Sequence, residues 1–232
     1  MRVFKFGGAS IASIERMQQV VQLVQAEKGQ PLLLVVSAAG KTTNALEKVA
    51  EAFFAGRQAE ALELFDQVKK QHLNMAKYLL VTRHHAFMAQ FNDLCTEAEW
   101  LLHDKPVRQY DYYYDQIVCL GELFSTTLLH FALAENGANS VWMDVRDILR
   151  TDNDYREAGI DWAYTQLQVS EQMQPLLQQH EVVITQGFIG STADNESTTL
   201  GREGSDYSAA IFANMLQANA LIIWKDVPAV LS

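Results

Sequence analysis

Hydrophobic positions in this chain follow two rhythms, short unbroken runs and longer stretches that repeat every three or four residues. Val3 to Phe6 is a β-like run that stops at Gly7-Gly8, and beyond it Ile14, Met17, Val20, Val21 and Val24 recur at helical spacing, predicting a helix that ends near Gly29. PLLLVVSA, 31–38, is a continuous apolar run of the kind that forms a strand buried on both faces of a parallel sheet. The opening is therefore β-α-β.

From about 44 to 110 the pattern turns amphipathic, with almost no Gly or Pro, and reads as a helical insertion. Sheet-like runs resume at 140–145 (SVWMDV) and 182–190 (VVITQGFIG), separated by a helical region over 161–179 that Pro175 breaks or kinks. A last buried strand is expected at 218–224 (ANALIIW). Strands alternating with helices predict an α/β domain, an open and mostly parallel sheet sandwiched between helices. No repeat, low-complexity segment or linker divides the 232 residues, so a single domain is expected.

Composition narrows the partners. Hydrophobic residues make up 49% and charged residues 20%, ordinary globular usage. A formal net charge of −10 argues against nucleic acid and against an anionic membrane, because both demand a basic surface. Any anion must be held locally. The amino terminus has no long apolar run, and no stretch is read as the roughly 20 apolar residues that cross a bilayer, so a cytoplasmic protein is expected. Cys95 and Cys119 form no C-x-x-C pair and read as reduced, buried thiols.

Candidate chemistry sits where strands give way to loops, since ligands bind beyond the carboxyl ends of parallel strands. Lys5 followed by Gly7 and Gly8 brings a point charge and bare amides to one place, as a phosphate cradle would; the plain alternative is a tight turn with a solvated lysine. Gly40-Lys41-Thr42 suggests a P-loop, but that motif needs glycine at the position of Val35 and is rejected. Ser37 and Thr43 then remain as hydroxyls facing a polar ligand, or Thr43 and Asn44 as helix caps. Glu122 opens an apolar helix, where the macrodipole alone favours an acid.

The tyrosines 110, 112, 113 and 114 are expected to pack the insertion against the sheet. Asp152, Asn153 and Asp154 resemble the start of a calcium loop, yet Glu157 stands where that loop needs glycine, and the histidines show no ligand spacing; no metal site is expected. In TTLGREGSDYSAA, Arg202 offers a planar fork for a carboxylate or phosphate, Gly201 and Gly204 allow close approach, and Ser205 is a natural N-cap. That stretch reads as an anion site, or as a capped turn with an internal pair from Arg202 to Glu203 or Asp206.

Taken in order, KFGGASI, VVSAAGKTTNAL, the GE of CLGELFSTTLL, DVRDILRTD, ITQGFIGST and TTLGREGSDYSAA resemble the aspartate kinase family of the amino-acid kinase fold. The resemblance implies that L-aspartate and ATP give 4-phospho-L-aspartate and ADP, with Mg²⁺ bound through the phosphates. It implies that Lys5 neutralises the transferring phosphoryl group, with Gly7, Gly8, Ser10, Lys225 and Asp226 on the phosphate or nucleotide side. Arg202 would clamp the aspartate α-carboxylate and Glu122 would receive its ammonium. Thr43, Phe188 and Ser205 would line the same pocket, and Asp206 would orient Lys5 or Arg202. A side-chain carboxylate, with a pKa of about 3.9, is already ionised at neutral pH and needs no general base.

Departures accompany the matches. Ala9 stands where threonine is commonest in the family, and Glu203 adds a carboxylate beside Arg202. The family continues past WKDVPAVLS into a segment that completes the nucleotide site and then into ACT domains, so a truncated kinase domain of weak or no activity is expected. The alternatives are a noncatalytic amino-acid-binding module and a sibling amino-acid kinase. A homo-oligomer is compatible with each.

Overall fold

The computed structural model describes residues 1–27 and 29–225. The described residues contain seven strands: β1 (Arg2–Phe6), β2 (Leu32–Val36), β3 (Ser140–Trp142), β4 (Val182–Gln186), β5 (Ile189–Ser191), β6 (Ser197–Thr199) and β7 (Ala220–Trp224). Five form one sheet in the order β3-β4-β2-β1-β7, with every neighbouring pair parallel, while β5 and β6 make a separate antiparallel pair. All five residues of β2 and of β4 are buried, which is why their sequences are runs rather than alternations.

The strand expected over 140–145 ends at Trp142 and passes into a 3-10 turn at Val145–Asp147. The run expected as one strand over 182–190 is two, because Phe188 takes a left-handed φ of 71° that no strand can accommodate.

Helix α1 (Ile14–Ala26) starts on Ser13, whose hydroxyl accepts the Arg16 amide, and it buries Met17, Val20, Val21 and Val24. Three long helices follow, α2 (Thr42–Phe54), α3 (Gln58–Leu79) and α4 (His84–His103). The last two enclose an aromatic cluster with α6 (Leu120–Glu135), in which the rings of Phe91 and Phe124 are centred 4.6 Å apart and those of His72 and Phe124 5.4 Å apart. The tyrosines were expected against the sheet, but they pack on α2 instead: Tyr113 meets Phe53, Tyr110 meets Phe54, and the Tyr114 hydroxyl donates to Glu47.

Helix α5 (Tyr110–Val118) runs into α6 as one helix of 26 residues. By length and composition it could cross a membrane, with a mean hydropathy of 1.7 over its most apolar window, which corrects the expectation that no stretch approaches that length. Its apolarity has another cause: 89% of that window is buried inside the fold.

The expected helical region over 161–179 is three pieces, α7 (Trp162–Gln168), a π-helical turn at Val169–Met173 and α8 (Gln174–Gln179), with Pro175 in the first turn of α8. Proline is tolerated there because the first amides of a helix have no intrahelical acceptor. The last described helix, α9 (Gly204–Met215), packs on β1, β2 and β7. Since the five strands run parallel, their carboxyl ends share one edge of the sheet, and the turns leaving those ends converge.

Candidate functional site

Lys5 is the only charged residue in β1 after Arg2, and it is 4% exposed. Its ammonium lies 2.6 Å from Asp206 Oδ1 in the first turn of α9, so the solvated-lysine alternative is excluded. The second oxygen, Asp206 Oδ2, lies 2.7 Å from the Lys225 ammonium at the end of β7. Burial pushes the Asp206 carboxyl up, but Lys225 and Lys5 outweigh it and hold the group below its ordinary value. One carboxylate thus gathers two lysines at the edge of a net-acidic chain.

The glycines beside Lys5 serve different ends. A Cβ on Gly7 would stand 3.7 Å from the Lys5 ammonium and 3.6 Å from the Trp224 carbonyl, ordinary contacts in a conformation open to any residue. A Cβ on Gly8 would stand 2.4 Å from the Ala38 carbonyl, so Gly8 is glycine because two loops touch there. The Gly40 amide donates to the Gly8 carbonyl, sealing that contact. Ser10 donates to the Trp224 carbonyl at 3.2 Å and ties the same loop to β7.

Glu122 extends from the first turn of α6 into the turn after β2, where the Ala38 amide donates to its Oε1 at 3.1 Å. Oε2 is buried with no partner among the described residues. Burial pushes this carboxyl up to about 8 against the opposing effects of backbone amides and the Lys5 charge. A macrodipole role does not explain such depth, since an acid serving the helix start does so from the surface. An orphaned, buried carboxyl oxygen is suited to a cationic or donor-rich ligand.

The turn 200–206 differs from expectation in its cap. Glu203, at φ 57°, precedes a helix that already begins at Gly204, so Ser205 is inside α9, and its hydroxyl instead accepts from Ser37 at 2.9 Å. Likewise neither Thr43 nor Asn44 caps α2, which begins at Thr42; the Thr42 hydroxyl donates to the Ala39 carbonyl and Thr43 is half-buried beside it. The internal pairs considered for Arg202 do not form: Asp206 faces the two lysines, and Glu203 is bonded to Lys225 at 3.4 Å.

Arg202 is exposed and, with Phe188, Thr199, Gly201 and Arg156, lines a cleft of about 590 Å³. The Phe188 amide donates to Ser208 on α9, which fixes the strained turn against the helix. Lys5 does not line this cleft, although its partner Asp206 lies one helical turn beyond Arg202. A larger concavity of about 760 Å³ opens at the amino-terminal ends of the strands, lined by Pro31, Asn139, His180 and Glu181, and holds none of these residues.

Two residues at or behind the cleft were not visible as such in the sequence. Arg156, which lines it, stands in a polar loop without periodicity, and Asp115, behind it, sits on an apolar helix two turns before Glu122. Asp115 is wholly buried; burial pushes its carboxyl up to about 6 although three hydrogen bonds pull it down. Asp152 serves its own loop, accepting from the Asp154 and Gly159 amides. Among the described residues no group of three His, Cys, Asp or Glu side chains could hold a metal ion. Asp226 lies outside the described residues.

Comparison with known proteins identifies the family and the fold. The amino acid kinase family model matches residues 1–232. Lysine-sensitive aspartokinase 3 of Escherichia coli is 34% identical over 228 residues, covering 98% of this chain and 49% of that protein. The bifunctional aspartokinase/homoserine dehydrogenase 2 of Zea mays is 32% identical, covering 99% of this chain and 25% of that protein. The crystal structure of E. coli aspartokinase III in complex with aspartate and ADP matches with a TM-score of 0.84 at 33% identity, covering 98% of this chain and 49% of the other. The chain thus spans about half the length of the E. coli relative, or less in the plant proteins. With its parallel sheet, its helical layers and a family match along its whole length, this chain belongs to the amino acid kinase family.

Proposed function

We propose that this chain is the catalytic part of an aspartate kinase, transferring the γ-phosphoryl group of ATP to the side-chain carboxylate of L-aspartate. The observation that carries the reading is the Lys5 ammonium, buried at the end of β1 beside the bare Gly7 and held by Asp206. A buried cation without a ligand-facing task would be an expensive feature of a strand.

The nucleophile is ionised at neutral pH, so the barrier is chiefly the approach of one anion to another. At an effective dielectric of about 20, a unit charge 4 Å away contributes about 4 kcal/mol, enough for one lysine to change the balance. Asp206 orients Lys5, Arg202 takes the α-carboxylate, and the free oxygen of Glu122 receives the ammonium. Mg²⁺, brought in by the triphosphate oxygens, supplies charge neutralisation there. Asp206 is already committed to two lysines, which fits a metal held by phosphate rather than by the protein.

Trapping with hydroxylamine tests the proposal. Incubation with aspartate, ATP and Mg²⁺ is expected to yield aspartyl hydroxamate, with glutamate far less effective. Aspartate binding without hydroxamate would overturn the kinase reading and leave an amino-acid-binding module.

A further inference from the structure

Asp115 binds two segments that are remote in sequence. Its Oδ2 accepts the Thr199 amide at 2.8 Å and the Arg156 amide at 2.9 Å, and its Oδ1 accepts the Thr199 hydroxyl at 2.7 Å. Each segment carries a guanidinium to the same cleft, Arg156 itself and Arg202 three residues beyond Thr199. The two turns also touch: a Cβ on Gly201 would stand 3.2 Å from the Arg156 carbonyl.

Arg156 is held more firmly than a loop residue requires. Its φ is 74°, a left-handed conformation that costs a non-glycine residue about 1–2 kcal/mol and persists where neighbours enforce it. The Asp115 bond to its amide is one such restraint. Its guanidinium bonds Asp111 at 3.0 Å and lies 4.5 Å over the Tyr114 ring, so three residues of α5 grip this one arginine. A wholly buried carboxylate is a costly way to stabilise a core and an effective way to fix amides in place.

We propose, building on the aspartate kinase reading above, that Asp115 is a positioning residue: it couples the turn bearing Arg202 to the turn bearing Arg156 and fixes the spacing of their guanidinium groups over the cleft. It touches no substrate. Its effect is geometric, and displacement of a substrate-orienting group by about 1 Å can cost about 10²-fold.

Asparagine can replace all three contacts, its carbonyl accepting both amides and its amide donating to the Thr199 hydroxyl, which can reverse its role. Asp115→Ala removes them, and Asp115→Glu keeps a carboxylate but displaces it. The wild-type chain and the three variants are compared by amide hydrogen exchange and by calorimetric titration with L-aspartate.

In Asp115→Ala, exchange over 152–158 and 197–203 is expected to be at least tenfold faster while β1 and β2 are unchanged, with aspartate affinity at least tenfold weaker. Asp115→Asn restores both to within threefold. Asp115→Glu, the variant that decides the matter if the alanine form does not fold, weakens aspartate at least tenfold. Aspartate affinity within twofold of wild type in the alanine or glutamate variant overturns the proposal, as does unchanged exchange in both segments. A wild-type chain that binds no aspartate overturns the kinase reading instead, and the exchange comparison still decides whether Asp115 couples the two turns.

Discussion

The Lys5 ammonium lies 2.6 Å from Asp206 Oδ1, joining the first strand to the last described helix. Because Asp206 retains Lys225 at 2.7 Å, removing the Lys5 charge leaves no orphaned carboxylate. Lys5→Met keeps the buried stem, so the fold survives. Hydroxamate formation is expected to fall by about 10²–10³-fold, the effect of losing one preorganised charge-stabilising group, while aspartate affinity by calorimetry stays within threefold.

Glu122 makes stability depend on pH in a defined direction. Its folded-state pKa, about 8, lies above the ordinary 4.5, so the folded chain keeps a proton that the unfolded chain releases. The stabilisation is full below about 4.5 and is lost as pH rises to about 8. Glu122→Gln should therefore gain on the wild type in urea midpoint between pH 5 and pH 8 and level off above. Receiving an ammonium requires the carboxylate, so wild-type aspartate affinity is expected to rise over the same interval, and the glutamine variant to be weaker and flat.

The two glycines after β1 should separate folding from chemistry. Gly8→Ala drives a methyl to 2.4 Å from a backbone carbonyl and is expected to lower the thermal midpoint sharply. Gly7→Ala meets only ordinary contacts, so its midpoint stays near wild type, yet the methyl stands beside the Lys5 ammonium. Its KM for ATP is expected to rise at least tenfold in the hydroxamate assay.

His72 is fully buried; its Nδ1 contacts the Val68 carbonyl, and Nε2 has no partner among the described residues. Burial holds its pKa below the ordinary value, so the unfolded chain takes up the proton first and stability falls as pH drops through about 6.5. His72→Leu is expected to cost less than about 1 kcal/mol at pH 7 and to gain on the wild type towards pH 5. Phe91→Ala, in the same cluster, should cost about 3–5 kcal/mol by denaturant titration.

Legibility of this chain follows the range of the forces involved. The β-α-β opening was readable because burial on both faces of β2 writes itself as LLLVV, and α1 because its apolar stripe is periodic. Strand β6 is Ser-Thr-Thr, paired by backbone alone, and has no hydrophobic signal. The cap of α9 lies two residues earlier than the expected Ser205 because Glu203, not a glycine, takes the left-handed turn. Lys5, Glu122 and Arg202 stood out by residue type, but their depth and pairing depend on distant loops. Nothing in spacing relates residues 115, 156 and 199, which meet only once the sheet and the hairpin are assembled.

Asp115 and Glu122 stand seven residues apart on the helical span Tyr110–Glu135, about 10.5 Å along its axis and on nearly the same flank. Two acids with separate duties therefore ride on one axle, and neither can shift without carrying the other. Phe124, two residues beyond Glu122, anchors that axle in the aromatic bundle. A substitution there acts as a steering input to both acids at once.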